Sequence, residues 1–295
     1  MVSLLRASPG RRAFIVRGTS GLSEGYRDLI AAGILRRVHP KARVVVSDAT
    51  IEPGSAALAA RLPSTVTRWV EQASKALVRF ADGPGVVWCV LSRDEVTTFV
   101  RAWGVRRGTV RFTPFSHTLF TLPSPDEVHV GDHVFAGGNS LRDYDLLVEA
   151  LKDLPVRVDV ATSWVPAASP GNMTFESTSH EEFMRRLYGC SVLVVPMRQA
   201  ARSTGQATYL NGMALGKVVI VNEVPGVRDY IDHDVTGLIV TTADEMRAAV
   251  LDVLDPSRAE HYARMRAAAQ AAVRDRLSPD RYLDRLLDVA LEQEE

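Results

Sequence analysis

The chain has 295 residues, of which 46% are hydrophobic and 24% are charged. This balance is typical of a folded globular protein and excludes a disordered or fibrous one, and at about 150 residues per domain the length favours two domains. Lys+Arg and Asp+Glu both number 35, so the formal net charge is zero. A neutral chain argues against nucleic acid as a partner and leaves only local basic clusters to act on anionic surfaces.

Cysteine content and hydropathy indicate where the protein works. Cys89 and Cys190 lie in separate apolar runs, which predicts two buried thiols rather than a disulfide or a zinc site. No apolar run approaches the roughly 20 residues that span a bilayer, and charge interrupts the first residues too soon for a secretory signal. We therefore expect a cytoplasmic protein.

The first part of the chain alternates β-rich runs with helical patterns, which predicts an α/β fold with a parallel sheet. The predicted strands are Ala13–Val16, Arg43–Ser47, Val86–Leu91 and Thr109–Thr113, and the predicted helices are Glu24–Arg37, Ser64–Phe80 and Asp94–Trp103. A Gly-rich turn, Gly18–Gly21, follows the first strand, and the Pro-rich acidic stretch Leu122–Glu127 predicts a linker. We assign residues 1–125 to an N-terminal domain.

The same alternation restarts in residues 126–295, which we assign to a second α/β domain. Its predicted strands are His133–Ala136, Arg157–Ala161, Val192–Val195 and Lys217–Asn222, and its predicted helices are Arg142–Leu151, Glu181–Tyr188 and Gly205–Leu215. Val192–Val195 is apolar enough to be a central strand buried on both faces. The arrangement predicts two doubly wound, Rossmann-like domains facing a cleft, with ligands at the carboxyl ends of the strands.

The end of the chain is predicted to be helical. Ser278 and Pro279 form a cap and first-turn pair at the start of the last helix. We leave open that this helix returns to pack on the N-terminal domain. Its predicted apolar stripe consists of Leu283, Leu286, Leu287, Ala290 and Leu291.

Three motif matches are weak. Gly212–Val218 resembles a phosphate-binding loop but is one residue short and follows a helix, so a helix C-terminal turn is the better interpretation. His129 and His133 flank a turn and are not assigned as metal ligands. Asp143 and Asp145 stand at the start of a helix, where acidic residues complement the helix dipole, so we predict capping and assign no metal site.

Two loops carry better signals. In Gly137–Asp143 a strand meets a helix, so backbone amides and Arg142 are candidates for binding an anion, with an ordinary tight turn and a surface arginine as the alternative. The second loop leaves a buried strand and enters a helix through Arg198, Arg202, Thr204, Gly205 and Gln206. A pyrophosphate at this helix start would explain those residues together, and Asn211, two turns on, could reach a ribose hydroxyl. The alternative here is a solvated loop and a capped core helix.

The chain resembles the group 1 family of GT-B glycosyltransferases. The resemblance is carried by Val134–Ala150, Leu187–Met197, Gly205–Val221 and Asp229–Val240, and more loosely by Ser92–Glu95, Trp103–Val105 and Phe112–Phe115. It covers about residues 130–295, the donor-binding half in that family.

The resemblance implies an enzyme that transfers a sugar from a nucleotide-diphosphate sugar with retention of configuration and without a bound metal or other cofactor. It implies that Arg142 and Arg202 stabilise the leaving group as catalytic residues, with no general base assigned. The implied donor site consists of Gly137, Gly138, Asn139, Arg142, Arg198, Thr204, Gly205, Gln206 and Asn211. Base contacts are implied near Ala161–Ser163 and Glu176–Thr178.

Two departures from the family pattern keep alternatives open. Ser203 and Asn211 stand where the family has paired glutamates, although a subset with a Gly-Gln helix start departs similarly. The N-terminal half is also about a third or more shorter than the family's. The chain is thus a minimal enzyme, a fragment, or a protein whose site is completed by a partner subunit.

Three functional hypotheses follow. The first is a glycosyltransferase acting on a glycan, lipid-linked or small-molecule acceptor; the second is a non-catalytic nucleotide-sugar-binding or regulatory subunit; the third is a GT-B-fold sugar-nucleotide epimerase. A homodimer and a peripheral membrane contact are left open. His117 and Gly18–Gly21 are further candidates for the cleft, although a lone loop histidine is more often merely exposed.

Overall fold

The computed structural model describes residues 11–18, 26–51, 63–122 and 131–292. These residues form two compact units, each built on its own parallel sheet. Unit 1 comprises Met1–Pro114 and Tyr282–Glu295, and unit 2 comprises Phe115–Arg281. The predicted α/β class with two parallel-sheet domains is confirmed.

Unit 1 has a four-stranded sheet in the order β1-β2-β3-β4, with all pairs parallel. Its elements are β1 (Ala13–Arg17), α1 (Arg27–Val38), β2 (Arg43–Ser47), α2 (Ser64–Ala81), β3 (Val86–Val90), α3 (Arg93–Trp103) and β4 (Val110–Phe112). β3 is buried along its whole length, because apolar residues cover both faces of the sheet.

The last helix, α9 (Pro279–Leu291), packs its end on the sheet of unit 1. Leu286, Val289 and Ala290 are buried against Val45 and Val87. Asp48, directly after β2, accepts a hydrogen bond from the hydroxyl of Tyr282, which adds a polar anchor to this apolar contact.

Unit 2 has a six-stranded parallel sheet in the order β10-β9-β8-β5-β6-β7. Its strands are β5 (Val134–Gly137), β6 (Val158–Ala161), β7 (Met173–Glu176), β8 (Val192–Val195), β9 (Val218–Asn222) and β10 (Leu238–Val240). Its helices are α4 (Tyr144–Leu151), α5 (His180–Gly189), α6 (Gln206–Ala214), α7 (Ala243–Leu254) and α8 (Ala259–Arg276).

The strand order of unit 2 reverses between β5 and β8. The chain runs outward from β5 through β6 to β7, then returns to β8 on the other side of β5 and runs outward to β10. Open α/β sheets bind ligands at the carboxyl ends of the strands, at such a switch point. The loops after β5 and β8 are the two that carry the predicted site.

Most of the predicted core is confirmed. β8 is fully buried, as its composition predicts, and the thiols of Cys89 and Cys190 are buried and unpaired. Burial raises the pKa of the Cys89 thiol to about 11 and that of Cys190 to about 12. Neither thiol therefore has the thiolate character of a nucleophile.

The predicted stripe of the last helix is wrong in part. Leu286 and Ala290 are buried, but Leu283, Leu287 and Leu291 are 51%, 42% and 63% exposed. The buried face is rotated toward Tyr282 and Val289, because the anchoring contacts to unit 1 lie on that side.

Several expectations fall outside the described residues: most of the Gly18–Gly21 turn, the start of the Glu24–Arg37 helix, most of the Leu122–Glu127 linker and His129. Within the described residues, every helix is too short or too polar to cross a bilayer.

Candidate active site

The loops after β5 and β8 are joined by backbone hydrogen bonds. The amide of Asp143 donates to the carbonyl of Pro196 at 3.1 Å, and the amide of Arg198 donates to the carbonyl of Leu141 at 2.9 Å. Arg142 and Met197 form an antiparallel bridge between these two bonds. The structure thus brings both predicted loops to one place at the carboxyl edge of the unit 2 sheet.

Arg142 is buried at the centre of this junction. Its guanidinium donates to the carbonyl oxygens of Gly137 (Nε, 3.0 Å) and Ser140 (Nη1, 2.8 Å) and to the hydroxyl of Thr208 (Nη2, 3.1 Å). These acceptors are neutral, so they use three of the five N–H groups without balancing the charge. Burial lowers the pKa of Arg142, and the nearby charge of Arg202 acts in the same direction.

Ser140 connects the second predicted cation to the first. Arg202 donates from Nη2 to the Ser140 hydroxyl at 3.1 Å, while the Ser140 carbonyl accepts from Arg142 and from the hydroxyl of Thr204 at 3.4 Å. Two guanidinium groups therefore approach one residue of the β5 loop. Like charges held this close are stabilised by an anion between or beside them.

The amino end of α6 adjoins these cations through Gly205. Gly205 has φ +86° and its carbonyl accepts the amides of Thr208 and Tyr209 at 2.9 and 3.0 Å. A Cβ at this position would lie 2.6 Å from Sδ of Met197, so glycine is required both by the left-handed backbone and by the close packing. The first amides of a helix have no intrahelical partner and favour negative charge.

The turn after β5 also depends on glycine. Gly138 has φ +108°, and a Cβ there would lie 2.9 Å from Nη2 of Arg142. The next residue, Asn139, accepts hydrogen bonds on its side-chain oxygen from Thr162 and Ser163, at 2.9 Å from the Thr162 hydroxyl and 2.9 Å from the Ser163 amide. These bonds fix the turn to the end of β6, where base contacts are implied by the resemblance. Contacts of Gly137, Gly138 and Asn139 with a nucleotide-sugar donor stay predictions.

Gln206 and Ser203 form a buried pair at the entrance to α6. The side-chain amide of Gln206 donates to the hydroxyl of Ser203. Both side chains lie beside Thr204, so the polar entrance expected from the sequence is present.

The guanidinium of Arg198 lies on Asp145 rather than on the Arg142–Arg202 pair. Nη2 of Arg198 is 3.5 Å from the Asp145 carboxylate, and both side chains are exposed. An exposed ion pair of this kind contributes little to stability. A diphosphate could compete for this arginine, and its donor role stays a prediction.

Asn211 is buried and bonded to Thr118. Its side-chain oxygen accepts from the Thr118 amide at 2.8 Å, and its side-chain nitrogen donates to the Thr118 hydroxyl at 2.9 Å. The side-chain amide of Asn211 therefore holds the segment that contains Thr118. Its contact with a ribose stays a prediction.

Two further hydrogen bonds, both donated by backbone amides, hold this segment to the rest of unit 2. The amide of Phe115 donates to the hydroxyl of Tyr230 at 3.0 Å, and that of His117 donates to the carbonyl of Leu277 at 3.1 Å. The expectation that His117 is merely exposed is wrong. Its ring is buried, Nδ1 accepts from the Leu119 amide at 3.2 Å, and burial lowers the pKa of the imidazole.

Two interpretations of the weak motifs are confirmed, the capping role of Asp143 and the helix C-terminal turn before Gly216. Asp143 caps α4 by accepting the Leu146 amide at 3.2 Å. Gly216, in the segment Gly212–Val218 that resembles a phosphate-binding loop, follows the end of α6 with φ +66°, as a helix C-terminal turn requires.

Sequence reasoning missed three residues that build the site. Thr208 accepts a hydrogen bond from Arg142, and Ser140 accepts one from Arg202. Asn222, at the end of β9, donates to the carbonyl of Met197 and accepts from its amide, both at 2.6 Å. Asn222 could have been found as a polar residue ending a fully apolar strand. Nothing in the local pattern distinguishes Thr208 or Ser140 from ordinary surface residues.

The comparisons with known proteins concern the family and the fold. Residues 161–256, about a third of the chain, match the family model described as Glycosyl transferases group 1. This segment of unit 2 is thus similar to the group 1 glycosyltransferases. The matched segment runs from the end of β6 to the start of the helical C-terminal region and includes α6 with its amino end.

Solved structures show the fold of the whole chain. HepE of Anabaena, crystallised in complex with UDP, has a TM-score of 0.65 at 14% identity, covering 97% of this chain and 80% of that one. Sucrose-phosphate synthase of Thermosynechococcus elongatus gives 0.64 at 15% identity over 98% and 75% of the two chains. WaaG, a glycosyltransferase involved in lipopolysaccharide biosynthesis, gives 0.60 at 14% identity over 92% and 83%. The GT-B fold implied by the resemblance is confirmed.

Comparison with curated protein sequences gives no match. The similarity to glycosyltransferases thus rests on one family model over part of unit 2 and on the fold, and the activity, the donor and the acceptor need separate arguments.

Proposed function

We propose that the protein is a glycosyltransferase that binds a nucleotide-diphosphate sugar at the junction of the β5 and β8 loops and transfers its sugar to an acceptor. The observation that carries the proposal is Arg142, a buried cation whose hydrogen-bond acceptors are all neutral. A buried charge without a counter-charge is costly, so the site is best explained by an anionic ligand.

A diphosphate fits this site better than a single carboxylate does. Arg142 and Arg202 approach Ser140 from two sides, and the amino end of α6 lies beside them. Two guanidinium groups and a helix dipole match the several oxygens and the charge of a diphosphate. The UDP and UDP-glucose complexes of Anabaena HepE, a protein of the same fold, also support a nucleotide-sugar donor.

The proposed chemistry is leaving-group stabilisation. As the bond between the sugar C1 and the phosphate oxygen breaks, negative charge grows on the departing diphosphate, and fixed cations and amides stabilise that charge more strongly than they stabilise the ground state. Arg142 and Arg202 supply this stabilisation, and the acceptor hydroxyl passes its proton to an oxygen of the departing diphosphate as the new C1–O bond forms. Retention of configuration, and transfer without a bound metal or other cofactor, are parts of the proposal that rest on the resemblance.

Arg142→Ala tests the proposal. A charge-assisted contact to phosphate contributes about 1.5–3 kcal/mol, so kcat/KM for release of the nucleoside diphosphate from the donor falls about tenfold or more. The assay presents UDP-, GDP-, ADP- and TDP-sugars to the full chain, with and without candidate acceptors. Arg274→Ala, which removes an exposed cation from α8, is the matched control and keeps wild-type kinetics. Unchanged kinetics in Arg142→Ala would remove this residue from the site.

A non-catalytic nucleotide-sugar-binding or regulatory subunit is the second candidate, favoured by the hydrogen bonds of Asn211. The residue at the position of the family's second glutamate is neutral and is bonded to Thr118. If this candidate is right, the chain binds a nucleoside diphosphate but transfers sugar only when mixed with a second chain. A sugar-nucleotide epimerase would instead convert the donor without any acceptor, which product analysis detects.

The partners in the proposal are the donor and a glycan, lipid-linked or small-molecule acceptor. A homodimer and a partner subunit remain part of the proposal as ways to complete the site. A peripheral membrane contact is a further component, and it depends on a different surface of the molecule.

A further inference from the structure

The helix α2 of unit 1 exposes an apolar strip that does not belong to the core. Trp69 is 78% exposed and Val66 is 41% exposed. Ala73 and Ala76 are also exposed and lie on the same side, since positions three, four and seven residues apart share a helix face. The opposite side, with Ser74, Val78 and Ala81, is buried against the unit.

Basic side chains border this strip. Arg68 and Arg79 are exposed on the side of Trp69, and no ion pair joins either guanidinium to a carboxylate in the part of the chain that the structure describes. The helix has one acidic residue, Glu71, which is partly exposed and accepts a hydrogen bond from Lys75 at 2.7 Å. The exposed face of α2 therefore carries mainly apolar and basic side chains, and its one carboxylate is paired with Lys75.

A third cation lies beside the carboxyl end of the helix. Arg37 of α1 places its guanidinium carbon 3.9 Å from the ring centroid of Phe80 and donates to the Phe80 carbonyl at 2.8 Å. The adjacent Val38 is exposed. The surface thus continues from α2 onto the end of α1 with the same combination of apolar and basic groups.

We propose that this surface, Val66, Trp69, Ala73 and Ala76 with Arg37, Arg68 and Arg79, docks the protein on an anionic lipid bilayer. An exposed indole prefers the headgroup region, where its apolar ring and polar N–H are both satisfied. Arginines beside it are attracted to anionic lipid, and the charge complementarity favours a bilayer over an apolar protein groove. Because the net charge of the whole chain is zero, attraction to an anionic bilayer depends on such a local basic cluster.

The test measures co-sedimentation and tryptophan fluorescence of the full chain with vesicles. Vesicles of phosphatidylcholine containing about 30 mol% phosphatidylglycerol are compared with pure phosphatidylcholine, because the attraction needs anionic lipid. The expected results are binding to the anionic vesicles alone, weakening at high salt, and a blue shift of the emission. Trp69→Phe keeps binding but loses most of the shift, since Trp88 and Trp103 are buried and the partly exposed Trp164 lies in unit 2, outside the proposed surface.

Two surface variants and two controls decide the assignment. Trp69→Ser lowers the partition coefficient about tenfold, and the Arg68→Gln/Arg79→Gln double variant lowers it about 25-fold, taking about a fivefold effect for each basic residue near the surface. Val165→Ser, at an 80% exposed position of unit 2, and Arg274→Gln leave it unchanged.

Absence of binding to the anionic vesicles, as expected of a surface that docks another protein, overturns the proposal. Binding that neither surface variant weakens also overturns it, because another surface is then responsible. Nucleotide binding by the same variants is measured in parallel and stays as in the wild type, so failure of this proposal is distinct from failure of the proposed activity.

Discussion

Arg142 shows how a single residue can indicate a ligand. Its guanidinium is held by two carbonyl groups and one hydroxyl, with Arg202 nearby and no carboxylate partner among the described residues. Such an arrangement orients the cation well but leaves its charge uncompensated. An arginine that served stability alone would be better placed beside a carboxylate or in water.

Asp48 is the opposite case, a buried carboxylate that serves the fold of unit 1. It follows β2 with φ +50°, accepts from the Tyr282 hydroxyl, and lies 3.7 Å from a guanidinium nitrogen of Arg17. Burial raises the pKa of Asp48 above 3.8 despite these partners, because removing water penalises the ionised form most. Burial and the nearby charge of Asp48 also raise the pKa of Tyr282.

The raised pKa of Asp48 predicts how stability depends on pH. The folded state holds this proton more tightly than the unfolded state does, so the contribution of Asp48 is greatest below pH 3.8 and is lost as the pH rises through the folded-state pKa. Asp48→Asn keeps an acceptor for Tyr282 and tolerates the positive φ. We expect the Tm of Asp48→Asn, relative to wild type, to rise between pH 4 and pH 7 in thermal melts.

Asp255 provides the matched control, since its pKa is shifted the other way. Hydrogen bonds from the backbone and side chain of Ser257 lower the pKa of this exposed capping residue. Asp255→Asn therefore loses stability relative to wild type as the pH rises toward 3.8, and the difference then changes little up to pH 7. A pH-independent difference for Asp48→Asn would show that the carboxylate is not penalised by burial.

Residue-scale prediction from sequence succeeded where a motif constrains position. Arg142 and Gly205 stand next to strand–helix junctions, and the structure places both at the loop junction as expected. Thr208 and the bond between Asn211 and Thr118 could not be predicted, because they depend on which side chains face each other after folding.

At the scale of elements, the amino end of α6 depends on one glycine. Gly205→Ala forces a left-handed backbone on alanine and brings its Cβ against the buried Met197, 2.6 Å from Sδ. These effects together cost about 2 kcal/mol, which lowers Tm by about 4–8 °C. Because the helix amides shift with the turn, nucleotide affinity falls as well.

Thermal melts and nucleotide titration of Gly205→Ala check this expectation. Gly171→Ala is the control, since Gly171 is exposed and a Cβ there meets no atom within 4 Å. Equal losses in the two variants, or none in Gly205→Ala, would contradict the structural role given to Gly205.

Strands with a strongly apolar composition were predicted well, but the buried face of the last helix was not. β2 and β8 begin and end at the expected residues, because unbroken apolar runs between polar residues define a buried strand. The buried side of α9 was misplaced, since two overlapping apolar faces satisfy the same helical period. The choice between them depends on Tyr282 and its partner Asp48, which are 234 residues apart.

At the scale of the whole molecule, two α/β units with different roles are indicated. Unit 2 carries the matched family segment and the cationic junction, and unit 1 carries the proposed lipid-docking face. Strand order in unit 2 could not be derived from its composition alone, yet it places the β5 and β8 loops side by side. The proposed donor site depends on that order more than on any single motif.

The central claim is that this junction binds a nucleoside diphosphate through Arg142. The most direct measurement is the thermal stability of the full chain with UDP, GDP, ADP and TDP, for wild type and Arg142→Ala. A ligand at about 100 times its Kd stabilises by about 2.7 kcal/mol, so wild type is predicted to melt higher with one nucleotide, and Arg142→Ala to show a much smaller rise at the same concentration. No rise with any nucleotide, or an equal rise in Arg142→Ala, would contradict the claim.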